Sequence, residues 1–226
     1  MRFLLPLLLL LPLLVPAQTQ HQQGCWGRLS LRTHVGQRLT LHTEAEERRF
    51  VFPDRQWLFI TNHHLHFRAS PVWDTALGSS YLRQSQRGVS VPERRLFEEV
   101  SATVPLPNHL RLQTRLRVEH RWLGQVVGPD LSDDWAYATR FRGRLQLEWL
   151  LSPGWKVRTS NEVLVNNGAF DQDQLFAVAE RQLGAGFTTE LAYLHIWQQR
   201  QASPGYYTRD VLRLTLAKEL WLLSAK

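Results

Sequence analysis

From residue 110 to residue 122 the chain alternates without a break. Leu110, Leu112, Thr114, Leu116, Val118, His120 and Trp122 take one parity; Arg111, Gln113, Arg115, Arg117, Glu119 and Arg121 take the other. A helix would scatter those arginines around its circumference, whereas a strand puts every one on a single face. The next stretch repeats the pattern. Trp135, Tyr137, Thr139, Phe141, Gly143, Leu145, Leu147 and Trp149 oppose Ala136, Ala138, Arg140, Arg142, Arg144, Gln146 and Glu148. The fold must therefore supply one apolar and one ionic environment to successive residues of the same strand.

Noisier alternation marks strands at 25–34, 38–48, 55–68, 72–83, 93–104, 109–122, 134–150, 154–166, 173–183, 187–197 and 210–222. No Pro/Ser/Gly linker interrupts them, so residues 18–226 read as one domain. Short turns at 35–37, 69–71, 105–108, 152–153 and 184–186 alternate with longer segments at 45–54, 84–92, 123–133, 167–172 and 198–209. Short turns on one side and long loops on the other are the layout of an outer-membrane barrel. Eleven strands would put the first strand's start on the loop side, in conflict with delivery from the periplasm and with the even strand numbers of bacterial barrels. The expected fold is thus all-β, a single antiparallel transmembrane β-barrel of 10–12 strands, with twelve favoured.

Composition agrees. At 43% hydrophobic residues and a mean hydropathy of −0.30 the chain is too polar for a bundle of membrane helices, and at 11% aromatic it is too rich in large apolar groups for disorder. Cys25 stands alone, which excludes an intrachain disulfide framework. Residues 1–17 read as a secretory signal peptide: Arg2, an apolar run over 3–15, and Val15-Pro16-Ala17 as the cleavage site. Cys25 lies too far beyond that cut to accept a lipid. The expected location is the outer membrane of a Gram-negative cell.

All nine tryptophans, Trp26, Trp57, Trp73, Trp122, Trp135, Trp149, Trp155, Trp197 and Trp221, fall near strand ends. That is the position of the aromatic girdles of a membrane barrel, where an indole keeps its body apolar and its N–H wet. The ionic parity would then line the lumen. Arg115, Arg117, Arg121, Arg140, Arg142, Arg144 and Arg158 would face Glu98 or Glu99, Glu119, Glu148 and Glu162. Side chains as large as arginine fill a narrow barrel, so the expectation is a packed polar interior, closed or very narrow. A basic, anion-binding or anion-conducting lumen is the sharper alternative.

Several motifs carry a family resemblance. Pro92-Glu93-Arg94-Arg95-Leu96-Phe97-Glu98-Glu99 resembles a strand start of the form PExRxWQQ, and Leu116-Arg117-Val118-Glu119-His120-Arg121-Trp122 resembles LRLEQRF. Ser160-Asn161-Glu162-Val163-Leu164-Val165-Asn166 followed by Phe170-Asp171-Gln172-Asp173-Gln174-Leu175 is similar to the pair SNEvflN and FDQNRl. Glu190-Leu191-Ala192-Tyr193-Leu194 resembles ELGYL, and Cys25-Trp26-Gly27-Arg28-Leu29-Ser30-Leu31 resembles the opening WnELsL. In this order the motifs resemble an exported β-barrel family, domain of unknown function 2490, over nearly the whole mature chain. Arg94-Arg95, Phe97-Glu98-Glu99 and Asp173-Gln174 depart from its pattern. The resemblance implies an outer-membrane barrel and transfers no catalytic residue.

Catalytic and metal motifs are missing from the sequence: there is no phosphate-binding loop, dinucleotide fingerprint or HExxH. In Asn62-His63-His64-Leu65-His66, His64 and His66 share a strand face, but no third ligand is visible. Nothing places a base beside Ser160-Asn161. The expectation is no enzyme, no cofactor and no metal. The net charge of +7 and the pI of 10.2 would by themselves suit nucleic acid, but the export signal and the strand-alternating arginines argue against it. Arg48-Arg49 and the basic segment 83–87 are candidates for lipopolysaccharide contact. The other expected partners are membrane lipid and the barrel-assembly machinery. The rival functions are a lipid hydrolase or acyltransferase of the membrane surface, and a soluble periplasmic, lipocalin-like binding barrel.

Overall fold

The computed structural model describes residues 19–86, 88–199 and 205–222; the leader read at 1–17 and Arg87 of the basic segment lie outside them. Among the described residues the chain forms eleven strands: β1 (Thr19–His34), β2 (Leu39–Phe50), β3 (Arg55–Arg68), β4 (Trp73–Gln86), β5 (Val89–Leu106), β6 (Leu110–Val127), β7 (Asp130–Ser152), β8 (Trp155–Asn166), β9 (Ala169–Gly184), β10 (Phe187–Gln199) and β11 (Tyr206–Trp221). Each pairs antiparallel with the next, and the ring closes between the first strand and the last. Every segment read as a strand from its alternation is one.

The closing pair corrects the preference for twelve and for an all-antiparallel ring. β1 and β11 run parallel, in unbroken register from Thr19↔Tyr206 to His34↔Trp221. Eleven strands leave the two edges pointing the same way, and parallel bonding satisfies both rows of backbone groups without a further strand.

The connections correct a second expectation. At one mouth they span 35–38, 69–72, 107–109, 153–154 and 185–186; at the other, 51–54, 87–88, 128–129, 167–168 and 200–205. Where a connection is fully described, it takes two to four residues at either mouth. Segments such as 123–133 are mostly strand: β6 runs to Val127 and β7 starts at Asp130. Asn167 and Gly168 turn one such hairpin with positive φ at both positions, 46° and 83°, as a two-residue type I′ connection requires.

Parity decides which side each residue faces. Leu29, Leu77 and Leu116, all more than 60% exposed, lie outside, while Glu46, Glu119 and Glu162, at 2% or less, lie inside. The barrel is inverted relative to a water-soluble protein: apolar outside, ionic inside. A smaller apolar cluster of Trp26, Val178, Ala192, Leu194, Ile196 and Val211 fills part of the interior against Trp57 and Phe176.

The tryptophans divide. Trp73, Trp149 and Trp155 are exposed on the outer face at one end of the barrel. Trp122, Trp135 and Trp197 have outward parity at the other. Trp135 and Trp149 sit on β7 itself, about 46 Å apart along the strand at about 3.3 Å per residue, or about 35 Å along the axis of a barrel tilted by about 40°. The remaining three are not part of an outer girdle. Trp26 shares the inward parity of Arg28. Trp57 is the extra residue where the β2–β3 register shifts at Arg48/Arg49, and this bulge re-aims its ring onto Trp26, 5.9 Å away. Trp221 ends β11 on the inward parity and stacks on His34 at 3.8 Å.

Candidate functional site in the barrel interior

The inward faces of β5 to β8 bring the ionic residues together. Glu119 of β6 accepts hydrogen bonds from Nε (2.8 Å) and Nη2 of Arg140 and from Nη1 of Arg142 (2.9 Å). Arg95 and Arg117 stand 3.8 Å from the same carboxylate. Glu162 of β8 receives Arg115 Nη2 at 2.6 Å and Arg142 Nε at 2.8 Å. Glu99 takes Arg117 Nη2 at 2.5 Å and lies 3.6 Å from Arg115. Glu93 holds Arg95 at 2.5 Å and both Nε and Nη2 of Arg121, at 2.6 and 3.2 Å. Arg95, Arg115, Arg117 and Arg142 each bridge carboxylates on two different strands, while Arg121 and Arg140 put two guanidinium nitrogens on a single carboxylate, the fork geometry that suits arginine.

The network continues around the wall. Arg158 joins Glu180 at 2.9 Å and Glu190 at 2.7 Å, and Lys156 joins Glu180 at 3.0 Å and Glu148 at 3.4 Å. On the opposite side Glu46 takes Arg28 at 2.6 Å and Arg48 at 2.5 Å. Arg115–Glu162 and Arg158–Glu190 each skip an intervening strand, β7 and β9, so these pairs reach through the interior rather than along one hairpin.

Glu98 corrects the pair left open in the sequence. Its parity is outward, its carboxylate is half-exposed, and it lies 3.5 Å from His120; Glu99 alone of the two enters the interior. Arg144 also lies inside but has no carboxylate within 4 Å among the described residues; one guanidinium nitrogen reaches Gln113 at 3.3 Å and its Nε is buried without a partner. Arg48, read as a surface charge, belongs to the interior, whereas Arg49 is bound at the rim to Asp54 at 3.0 Å. Ser160 and Asn161 do not act together: they point to opposite faces, and Asn161 donates to Asp173 at 2.5 Å.

Sequence reasoning missed three groups of interior residues. Arg28, Glu46 and Arg48 form the charge cluster of β1 and β2. Arg209 and Arg213 lie inside β11 without a carboxylate within 4 Å among the described residues; Arg209 is bonded to Gln22 and Gln198 and lies 4.5 Å over the Trp57 ring. His42 is brought up against His64 and His66. The parity of β1, β2 and β11 carries these positions, but interruption by Gly24, Gly27 and Ala45 weakens the pattern.

A closed eleven-strand barrel with a cross-linked ionic interior and an apolar exterior is the class this geometry defines. Within it, residues 23–207 match DUF2490, a family described as protein of unknown function, and the chain belongs to that family. No curated protein matches it in sequence.

Proposed function

We propose that this chain is an outer-membrane β-barrel whose interior is plugged by its own side chains, and that it acts as a structural or small-solute-binding element rather than as an enzyme or an open channel. The observation that carries the reading is the inverted partition of residues. An apolar outer face with leucines more than 60% exposed is costly in water and suits hydrocarbon, while buried carboxylates and guanidinium groups have partners only on the inside. Trp135 and Trp149, about 35 Å apart along the axis, stand far enough apart to bracket the apolar band of about 25 Å typical of a membrane barrel. Signal-peptide export over residues 1–17 and insertion by the barrel-assembly machinery belong to the same proposal. The exposed Arg49, Arg55 and Arg83 near one mouth would meet the phosphates of lipopolysaccharide. The rival lipid-hydrolase reading would call for a serine beside a histidine; among the described residues the serine side-chain hydrogen bonds run to Asn62, Asp134 and backbone amides.

The test has two parts. The tagged full-length chain is expected in the outer-membrane fraction, resistant to alkaline extraction; recovery as a soluble periplasmic monomer would overturn the membrane reading. The purified barrel in planar bilayers is expected to give no steady conductance. Large, stable currents would overturn the plugged interior, and small anion-selective ones would replace it with a transport function.

A further inference from the structure

Pairing of β2 with β3 places His42 directly across from His64. His66, two residues on, shares the inward face. The ring centroids are 4.2 Å apart for His42 and His66, 5.7 Å for His64 and His66 and 6.0 Å for His42 and His64, and one nitrogen of each lies within 4.8 Å of the others.

Two independent observations give the cluster a direction. The Nε2 atoms of His64 and His66 are buried without any hydrogen-bond partner, and His64 as a whole is only 8% exposed. Buried polar atoms of this kind call for an explanation. His66 Nδ1 lies 2.7 Å from Asp74 Oδ1. A carboxylate can only accept, so Nδ1 carries a proton, and in the neutral ring Nε2 then keeps its lone pair. That carboxylate–histidine arrangement fixes ring and tautomer in metal-ligating histidines. The His64 ring is held in turn by the edge of Phe97, at 5.0 Å and 88°.

We propose that His42, His64 and His66 form a binding site for a divalent transition-metal ion of the zinc class, inside the barrel near the mouth that carries the 35–38 and 69–72 turns. Zinc at about 2.0–2.1 Å from each nitrogen needs the three about 3.4 Å apart. The three nitrogens, within 4.8 Å of one another, would have to draw in by about 1.4 Å to meet it. Three imidazoles leave one position of a tetrahedral ion for water or a small anion from the interior. Asp74 is a positioning residue that acts through His66. The site does not depend on whether the outer face meets lipid.

The mature chain, purified in detergent and stripped with a chelator, is titrated with zinc by calorimetry, and retained zinc is counted by elemental analysis after gel filtration. One zinc per chain is expected. Folding of each variant is checked by its β-sheet circular dichroism. Folded His42→Gln, His64→Gln and His66→Gln are each expected to bind at least tenfold more weakly, and outward-facing His63→Gln to bind like the parent. Asp74→Asn removes no ligand, and it carries the test if the histidine variants do not fold: its stoichiometry should hold while its affinity falls about 10- to 100-fold. No retained zinc, equal binding by folded His64→Gln, or unchanged affinity in Asp74→Asn would overturn the site.

Discussion

Glu119 offers the sharpest test of the interior. It is 1% exposed and accepts from Arg140 and Arg142, with Arg95 and Arg117 both 3.8 Å away. Glu119→Gln preserves its shape and one acceptor but removes the charge that these guanidinium groups share. Hydrogen bonds to a charged partner contribute about 1.5–3 kcal/mol each, and removing one side of a buried ion pair costs about 3–5 kcal/mol. The variant is expected to lose about 3–5 kcal/mol of unfolding free energy, measured by urea titration in detergent micelles with tryptophan fluorescence. Glu98→Gln, on the outer face, should stay within about 0.5 kcal/mol of the parent. The double variant Glu119→Gln/Arg140→Gln should lose less than the sum of its parts by about 1 kcal/mol or more, because much of the single loss is a stranded charge. A Glu119→Gln effect no larger than that of Glu98→Gln, or strict additivity in the double variant, would refute the claim that this carboxylate neutralises the cluster.

Two further outcomes follow from the packing of the same interior. A Cβ added at Gly78 would stand 2.2 Å from Phe97 Cζ and 2.8 Å from the His63 carbonyl oxygen, so Gly78→Ala should cost about 1–3 kcal/mol in the same unfolding assay. Its cost should shrink in a Phe97→Ala background. Arg144 lacks a carboxylate, whereas Arg142 joins Glu119 and Glu162, so Arg144→Gln should be neutral to within about 1 kcal/mol or stabilising while Arg142→Gln costs about 3–5 kcal/mol. Equal urea midpoints for the two arginine variants would contradict that ranking.

The strands were legible because one buried ionic side and one apolar outer side impose a strict period of two, as along Leu110 to Trp122. Near the mouth, as at the start of β7, both sides of a strand are exposed and no strict parity is selected. That is why Leu123 to Val127 and Asp130 to Asp133 read as loop although they pair in β6 and β7. The parallel seam left no local trace, since it joins Thr19 to Tyr206 across the whole chain. Nearness to a strand end gives a tryptophan's depth but not its face; Trp26 was assignable inward from Arg28 and Ser30 beside it, whereas the bulge that turns Trp57 inward was not. Parity with Glu93 and Arg95 likewise chooses Glu99 over Glu98. His42 was not legible: the register set by the 51–54 turn would lay it opposite His63, and only the bulge at Trp57 brings it across from His64.

An odd ring with a parallel seam puts the start of the first strand and the end of the last at opposite mouths. Thr19 lies at the mouth of the 51–54 turn, and Trp221 at the mouth of the 35–38 turn. In an even barrel a few residues would join the two ends and allow the sequence to be re-cut at any hairpin. Here a joining segment would have to run the height of β1, about 50 Å at about 3.3 Å per residue, outside or through the filled interior. Circular permutation by a short linker is therefore closed to this barrel. Reporter proteins fused at Thr19 and after Trp221 would stand at opposite mouths, and in a membrane they would report from opposite compartments.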